Sequence, residues 1–95
     1  MIGRVVVGGH SMEPTLRHGD RLVHATVPAR VGDIVVARDP RDDARWIVKR
    51  VASLDHRRAV LASDLDGHET LAVERGAILG RAVLRYRPLR RLALL

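Results

Sequence analysis

The sequence predicts a small all-β fold with mostly antiparallel strands. Short runs rich in Val, Ile and Leu recur along the chain, and turn-forming Gly, Pro and Asp separate them. Only Leu71–Ile78 is ambiguous enough to hold a helical turn, so little helix is expected. The chain has 95 residues and 46% hydrophobic residues. These values are typical of one globular domain with a modest core, so we expect residues 1–95 to form a single domain.

The expected strands alternate with polar turns along the whole chain. The predicted strands are Ile2–Val7, Asp20–Thr26, Asp33–Ala37, Trp46–Leu54, Ala59–Ala62 and Gly80–Arg87. Polar or glycine-containing segments predict the connections. These are a surface loop at Arg38–Arg45, a tight turn at Asp55–Arg58 and a loop at Ser63–Thr70. Pro88–Leu95 is expected to be a packed or frayed tail.

The composition excludes several classes of protein. With no Cys, the chain has no disulfide, no thiolate nucleophile and no Cys-based metal site. No apolar run approaches the ~20 residues that span a bilayer, so we expect no stable membrane anchor and a cytoplasmic location. The net charge is +6, but the basic residues are scattered and the only aromatics are one Trp and one Tyr. A nucleic-acid partner is therefore not expected.

The stretch GGHSMEPTLRHGD contains the first candidate for chemistry, Ser11. Two glycines before a serine allow a substrate backbone to approach its hydroxyl. That hydroxyl becomes a good nucleophile only when a base removes its proton. Five histidines are present, but none has a triad context, and strand-like geometry would point His10 away from the adjacent Ser11. His10, His18 and His24 also lack the tight spacing of a metal site.

Lys49 is the second candidate, because 16 of the 17 basic residues are Arg and only this one is Lys. On a strand, Ile47, Lys49 and Val51 share one face, which is apolar apart from the amine. Burial there would lower the pKa of the lysine and create a base, which arginine cannot become. The alternative is an edge-strand lysine whose ammonium group reaches water.

Three sequence blocks together resemble the signal peptidase I family, which uses a Ser/Lys dyad. They are SMEPTLRHGD at Ser11–Asp20, GDIVV from Gly32 and KRV from Lys49, and the segment Gly80–Pro88 is similar to the family's closing strand. Lys49 follows Ser11 by 38 residues. The resemblance implies a small catalytic β-domain of the signal peptidase and LexA type, acting as a serine endopeptidase.

The resemblance also implies roles for individual residues. Ser11 would be the acylating nucleophile, Lys49 the general base, and the backbone N–H of Ser11 part of the oxyanion hole. Gly9 occupies the position where some members place a helping hydroxyl, so only backbone could contribute there. The residues expected in the oxyanion and substrate-binding region are Gly9, His10, Met12 and Ile47. Arg50 is expected to face away from the lysine as a structural ion-pair partner, and Gly19-Asp20 and Gly32-Asp33 to form turns.

One block departs from the family pattern. The usual Gly-Asp-Asn followed by Ser-x-Asp-Ser-Arg is eroded here to Ser63–Thr70. The hydroxyl that orients the lysine in the family is therefore assigned either to Ser63 or to Thr70.

Within the family, a short, anchorless chain rich in Ala and Arg resembles the maturation proteases of nickel-type superoxide dismutase. That branch implies a protein partner, the N-terminal propeptide of the dismutase precursor. It implies no cofactor and no metal in the protease, because the nickel belongs to the substrate.

Three alternatives stay open. The chain could be a soluble relative of ordinary signal peptidase. It could be a self-cleaving domain of the LexA type, against which Pro14-Thr15 and Lys49-Arg50-Val51 argue. It could also be a catalytically dead β-domain that binds a partner, an interpretation that the eroded block favours and the retention of Ser11 and Lys49 opposes.

Overall fold

The structure, a computed structural model, describes residues 1–95 and contains one eight-stranded antiparallel sheet. The strands are β1 (Ile2–Val6), β2 (Arg21–Ala25), β3 (Ile34–Asp39), β4 (Asp42–Leu54), β5 (Arg58–Ala62), β6 (Thr70–Glu74), β7 (Ile78–Arg87) and β8 (Ala93–Leu94). Their order is β1-β2-β7-β3-β4-β5-β6, with β8 paired to β7. The predicted all-β, mostly antiparallel class is confirmed.

The prediction of a surface loop at Arg38–Arg45 is wrong. β3 continues to Asp39 and β4 begins at Asp42, so only a tight hairpin turn separates them. Asp39 is 2% exposed and accepts hydrogen bonds from the backbone N–H and the guanidinium of Arg41, which closes this turn. The hairpin projects from the core, and the ends of its strands therefore carry exposed polar side chains. For this reason its sequence resembles that of a surface loop.

Two other segments are more ordered than the sequence suggests. Leu71–Ile78 divides into the end of β6, a 3-10 turn at Arg75–Ala77 and the start of β7. The tail packs through a second 3-10 turn at Leu89–Arg91 and through β8, and Arg91 Nη1 lies 2.8 Å from Asp20 Oδ1. The structure contains no helix that could span a bilayer.

Two hydrophobic cores lie against the sheet. The first comprises Val35, Ala37, Ile47, Val51, Ala59, Leu61 and Val73. The second comprises Val7, Met12, Leu16, Leu22, Ile34 and Ala82. Strand alternation on β4 places Ile47 and Val51 in the first core and packs Val48 against the second. Burying each large aliphatic side chain contributes roughly 1.5–3 kcal/mol, so the second core holds the segment after β1 in place.

The Gly-Asp pairs form turns, as predicted. Gly19 and Gly32 have φ of 88° and 94°, a region that residues with a Cβ rarely adopt. Asp20 accepts a hydrogen bond of 2.9 Å from the backbone N–H of Arg17, and Asp33 accepts one of 2.8 Å from that of Arg30. These carboxylates therefore hold the chain where it enters β2 and β3.

Candidate active site

Ser11 lies in the connection between β1 and β2, which we call the serine loop (residues 7–20). Met12 and Leu16 in this loop are 1% and 0% exposed, and the N–H of Leu16 donates to the carbonyl of Met12 over 2.9 Å. At the base of the loop, the N–H of Gly19 donates to the carbonyl of Val7 over 2.8 Å. The loop is thus one compact turn anchored in the second core, with Ser11 half-buried at its edge.

Lys49 projects from the middle of β4, where it is opposite Val35 of β3. Its Nζ lies 2.9 Å from Ser11 Oγ and 2.9 Å from Ser63 Oγ. Ser63 is 3% exposed and follows directly after β5. Of the two hydroxyls predicted to orient the lysine, the structure brings Ser63 to it, whereas Thr70 makes no hydrogen bond to Lys49.

Burial lowers the pKa of Lys49, because the charged ammonium group loses solvation. The positive charges of Arg41 and Arg45 lower it further, and the nearby carboxylate of Glu69 opposes them. A lower pKa increases the fraction of neutral amine near neutral pH. At 2.9 Å, a neutral amine is positioned to accept the proton of the Ser11 hydroxyl.

Asp64 joins three segments around these side chains, and the sequence interpretation missed it. Its carboxylate accepts bonds of 2.8 Å from Nε and from Nη2 of Arg50, and one of 2.7 Å from Thr15 Oγ1 in the serine loop. Next to it, the N–H of Leu65 donates to the carbonyl of Ser11 over 2.9 Å. Hydrogen bonding to Arg50 lowers the pKa of Asp64. The expectation that Arg50 is a structural ion-pair partner is confirmed.

The backbone at Ser11 offers a free donor. The N–H of Ser11 has no hydrogen-bond acceptor within the chain, so it is available to a bound group. The N–H of Gly9 instead donates to His18 Nδ1 over 2.9 Å and is not available. Gly9 has a φ of 80°, so its backbone conformation disfavours any other residue.

A cleft of about 260 Å³ opens beside Ser11 and Lys49. It is lined by residues 5–9, 11 and 12 on the serine side and by residues 41 and 45–49 on the lysine side. Gly9, Met12 and Ile47 therefore lie in the cleft wall. His10 does not, because its ring is 71% exposed and pairs with Glu13 outside the cleft.

Both walls of this cleft are unpaired strand edges. β1 pairs only with β2, so its other edge is free. The part of β4 before Arg50 pairs with β3 alone, because β5 joins only from Arg50 onward. An extended peptide in the cleft could hydrogen-bond to backbone on either side.

The histidine side chains make no hydrogen bond to the Ser11–Lys49 pair. His10 pairs with Glu13, and His18 accepts the N–H of Gly9. His24 is buried, and its ring packs edge-on at 6.0 Å from that of Trp46. None hydrogen-bonds to Ser11, and no group of three or more His, Asp or Glu side chains is arranged to hold a metal ion.

Comparison with known proteins identifies the family. The family model described as "Signal peptidase, peptidase S26" matches residues 1–58, a segment that contains both Ser11 and Lys49 and ends before Ser63. The comparisons with curated proteins and with solved structures found no match. The family match covers more than half of the 95 residues. The chain therefore belongs to the signal peptidase family, and this membership supports a signal-peptidase-like serine protease.

Proposed function

We propose that residues 1–95 form one catalytic domain, a serine endopeptidase in which Ser11 is the nucleophile and Lys49 the general base. The observation that carries this proposal is the 2.9 Å distance between Lys49 Nζ and Ser11 Oγ, with the amine in a half-buried position that lowers its pKa. Ser63 supports it, because its hydroxyl holds Nζ from a second side. Lys49 is therefore fixed toward Ser11 rather than free in solvent.

The geometry suggests how the reaction would proceed. Neutral Lys49 takes the Ser11 proton as Oγ attacks the substrate carbonyl carbon, and the resulting oxyanion accepts a hydrogen bond from the free N–H of Ser11. The protonated lysine then gives its proton to the leaving amine, and the peptide bond breaks. The acyl group stays on Ser11 Oγ until water, which gives a proton to Lys49, attacks the ester carbon. The ester C–O bond then breaks, and the protonated lysine returns the proton to Ser11 Oγ.

The substrate would bind as an extended strand. The free edges of β1 and of the first half of β4 supply backbone donors and acceptors on the two sides of the cleft. A segment of extended chain would then lie with one carbonyl beside Ser11. A folded domain would not enter a space of about 260 Å³, so the substrate would be an exposed terminal segment or loop.

For the natural substrate, we propose the N-terminal propeptide of a nickel-type superoxide dismutase precursor, cleaved in the cytoplasm. This part rests on the sequence resemblance of the chain to the dismutase maturation proteases. The test is co-expression with the precursor, followed by mass spectrometry of the recovered dismutase. We expect a shortened dismutase with the wild-type protein and with the control Ser53→Ala on the exposed part of β4, and a full-length one with Ser11→Ala.

The possible results of these experiments distinguish the candidate functions. An intact precursor beside a wild-type protein that cleaves other unfolded polypeptides would refute the dismutase substrate and keep the peptidase. Cleavage of the protein's own chain alone would favour the LexA-type alternative. A wild-type protein that binds unfolded polypeptides but hydrolyses none would favour the dead β-domain.

A further inference from the structure

The charges that line the cleft are unbalanced. Arg41, Arg45 and Lys49 line it, and no Asp or Glu does. Two carboxylates lie near these cations without lining the cleft. Asp39 is buried in the β3–β4 hairpin and accepts bonds from Arg41, with Nε at 3.0 Å and Nη2 at 3.2 Å. Glu69 lies beside Arg41 and Lys49, where its charge opposes the effect of burial, which favours the neutral form of Lys49.

Arg45 is the guanidinium that makes no hydrogen bond. Its Nε forms only a long ion pair of 4.0 Å with Asp39 Oδ2, and that carboxylate already accepts hydrogen bonds from Arg41. Its side chain is 68% exposed. The planar group can therefore offer two parallel N–H donors to a carboxylate that enters the cleft.

We propose that the cleft selects peptide segments with an acidic side chain, which Arg45 binds away from the scissile bond. The proposal rests on the peptidase function above and adds to it a substrate class. Arg45 and Lys49 both line the cleft, and Arg45 lies in the irregular part of β4, where the register against β3 shifts between Asp42 and Trp46. An extended substrate would lie beside β4. Its acidic residue would lie on the side of the scissile bond that runs along β4 toward Asp42.

The test uses a peptide series with one Asp moved through successive positions, each compared with its Asn counterpart. Exposed ion pairs contribute little, so we expect kcat/KM for the Asp peptide to exceed that for Asn by about two- to fivefold at the matching position. The ratio should fall toward one in about 1 M salt, because salt screens exposed charges.

Variants of Arg45 assign the preference to its side chain. Arg45→Gln should remove the Asp preference, and Arg45→Glu should replace it with a preference for Lys at the same position. The matched control is Arg90→Gln, which removes the same charge from an exposed residue outside the cleft and should keep the wild-type ratio.

A binding measurement separates this proposal from the peptidase proposal. Trp46 is the only Trp and lines the cleft, so its fluorescence in the Ser11→Ala protein reports peptide binding without turnover. Tighter binding of the Asp peptide that Arg45→Gln abolishes would support the acidic selection even if the wild type cleaved nothing. Equal cleavage of Asp and Asn peptides at every position would overturn it and leave the peptidase intact. Equal binding of the two peptides by Ser11→Ala would also overturn it.

Discussion

The two side chains of the proposed dyad, Ser11 and Lys49, are held in different ways. Lys49 is in the middle of a 13-residue strand, between Ile47 and Val51, whose side chains lie in the first core. Ser11 is in a loop that the second core anchors through Met12 and whose position depends on a few hydrogen bonds. Lys49 is therefore fixed by sheet pairing, and Ser11 by side chains from distant parts of the chain.

The difference fits the role that we propose for each group. A lysine acts as a base only when solvation of its ammonium group is reduced, and a strand packed on a core provides that environment. A nucleophile must reach a substrate carbonyl, which requires a loop at the surface. We therefore expect Lys49 to keep its position when a loop contact is lost. The position of Ser11 depends on such contacts.

The largest effect is expected from a substitution that keeps the positive charge of Lys49 but removes its ability to act as a base. We expect Lys49→Arg to lower kcat by about 10²–10⁴-fold, because arginine stays protonated and cannot act as a base. The measurement is peptide hydrolysis, with thermal unfolding and Trp46 fluorescence as checks that the fold persists. Turnover near the wild-type rate would contradict the role of Lys49 as the base.

The next largest effect is expected when the carboxylate of Asp64, which anchors the serine loop, is removed. Asp64→Ala deletes the bonds to Arg50 and Thr15, and we expect a loss of about 2 kcal/mol in the free energy of unfolding together with about 10²-fold lower kcat/KM. Urea unfolding and peptide hydrolysis measure the two effects. Asp43→Ala, at an exposed carboxylate without such bonds, is the control and should change neither. Full activity in Asp64→Ala would show that the serine loop needs no such link.

A smaller effect is expected from Ser63→Ala, which leaves Lys49 without its second hydroxyl contact. The amine would then sample other orientations, and we expect kcat to fall about tenfold with little change in KM. Ser53→Ala on the exposed part of β4 is the matched control. A change confined to KM would assign Ser63 to substrate binding instead.

The smallest expected effect is the dependence of the activity and of the free energy of unfolding on pH. It tests whether the strand environment lowers the pKa of Lys49. Because burial lowers the pKa of Lys49 below 10.5, activity should rise with pH as the folded protein releases this proton. Between the lowered pKa and 10.5 the unfolded chain holds the proton that the folded chain has lost, so the free energy of unfolding should rise with pH there. Urea unfolding of the wild type and of Lys49→Met at several pH values measures this, and equal slopes would contradict it.

The sequence predicts the position of Lys49 on its strand better than it predicts the contacts of the serine loop. The shared face of Ile47, Lys49 and Val51 follows from strand alternation alone. The contact of Asp64 with Thr15 joins residues 49 positions apart, and no local pattern encodes it. Its one signal is the position directly after Ser63 in the eroded block. The bond between His18 and Gly9 was missed for the same reason, since it depends on how the serine loop folds back on itself.

The link through Asp64 has a consequence for the newly made chain. The loop with Ser11, the strand with Lys49 and the segment with Ser63 and Asp64 meet only after β5 has paired with β4. Before that pairing, Lys49 lacks the hydroxyl contact of Ser63 and the serine loop lacks its link to Asp64. We therefore expect the proposed activity to emerge late in folding, once β5 is in place.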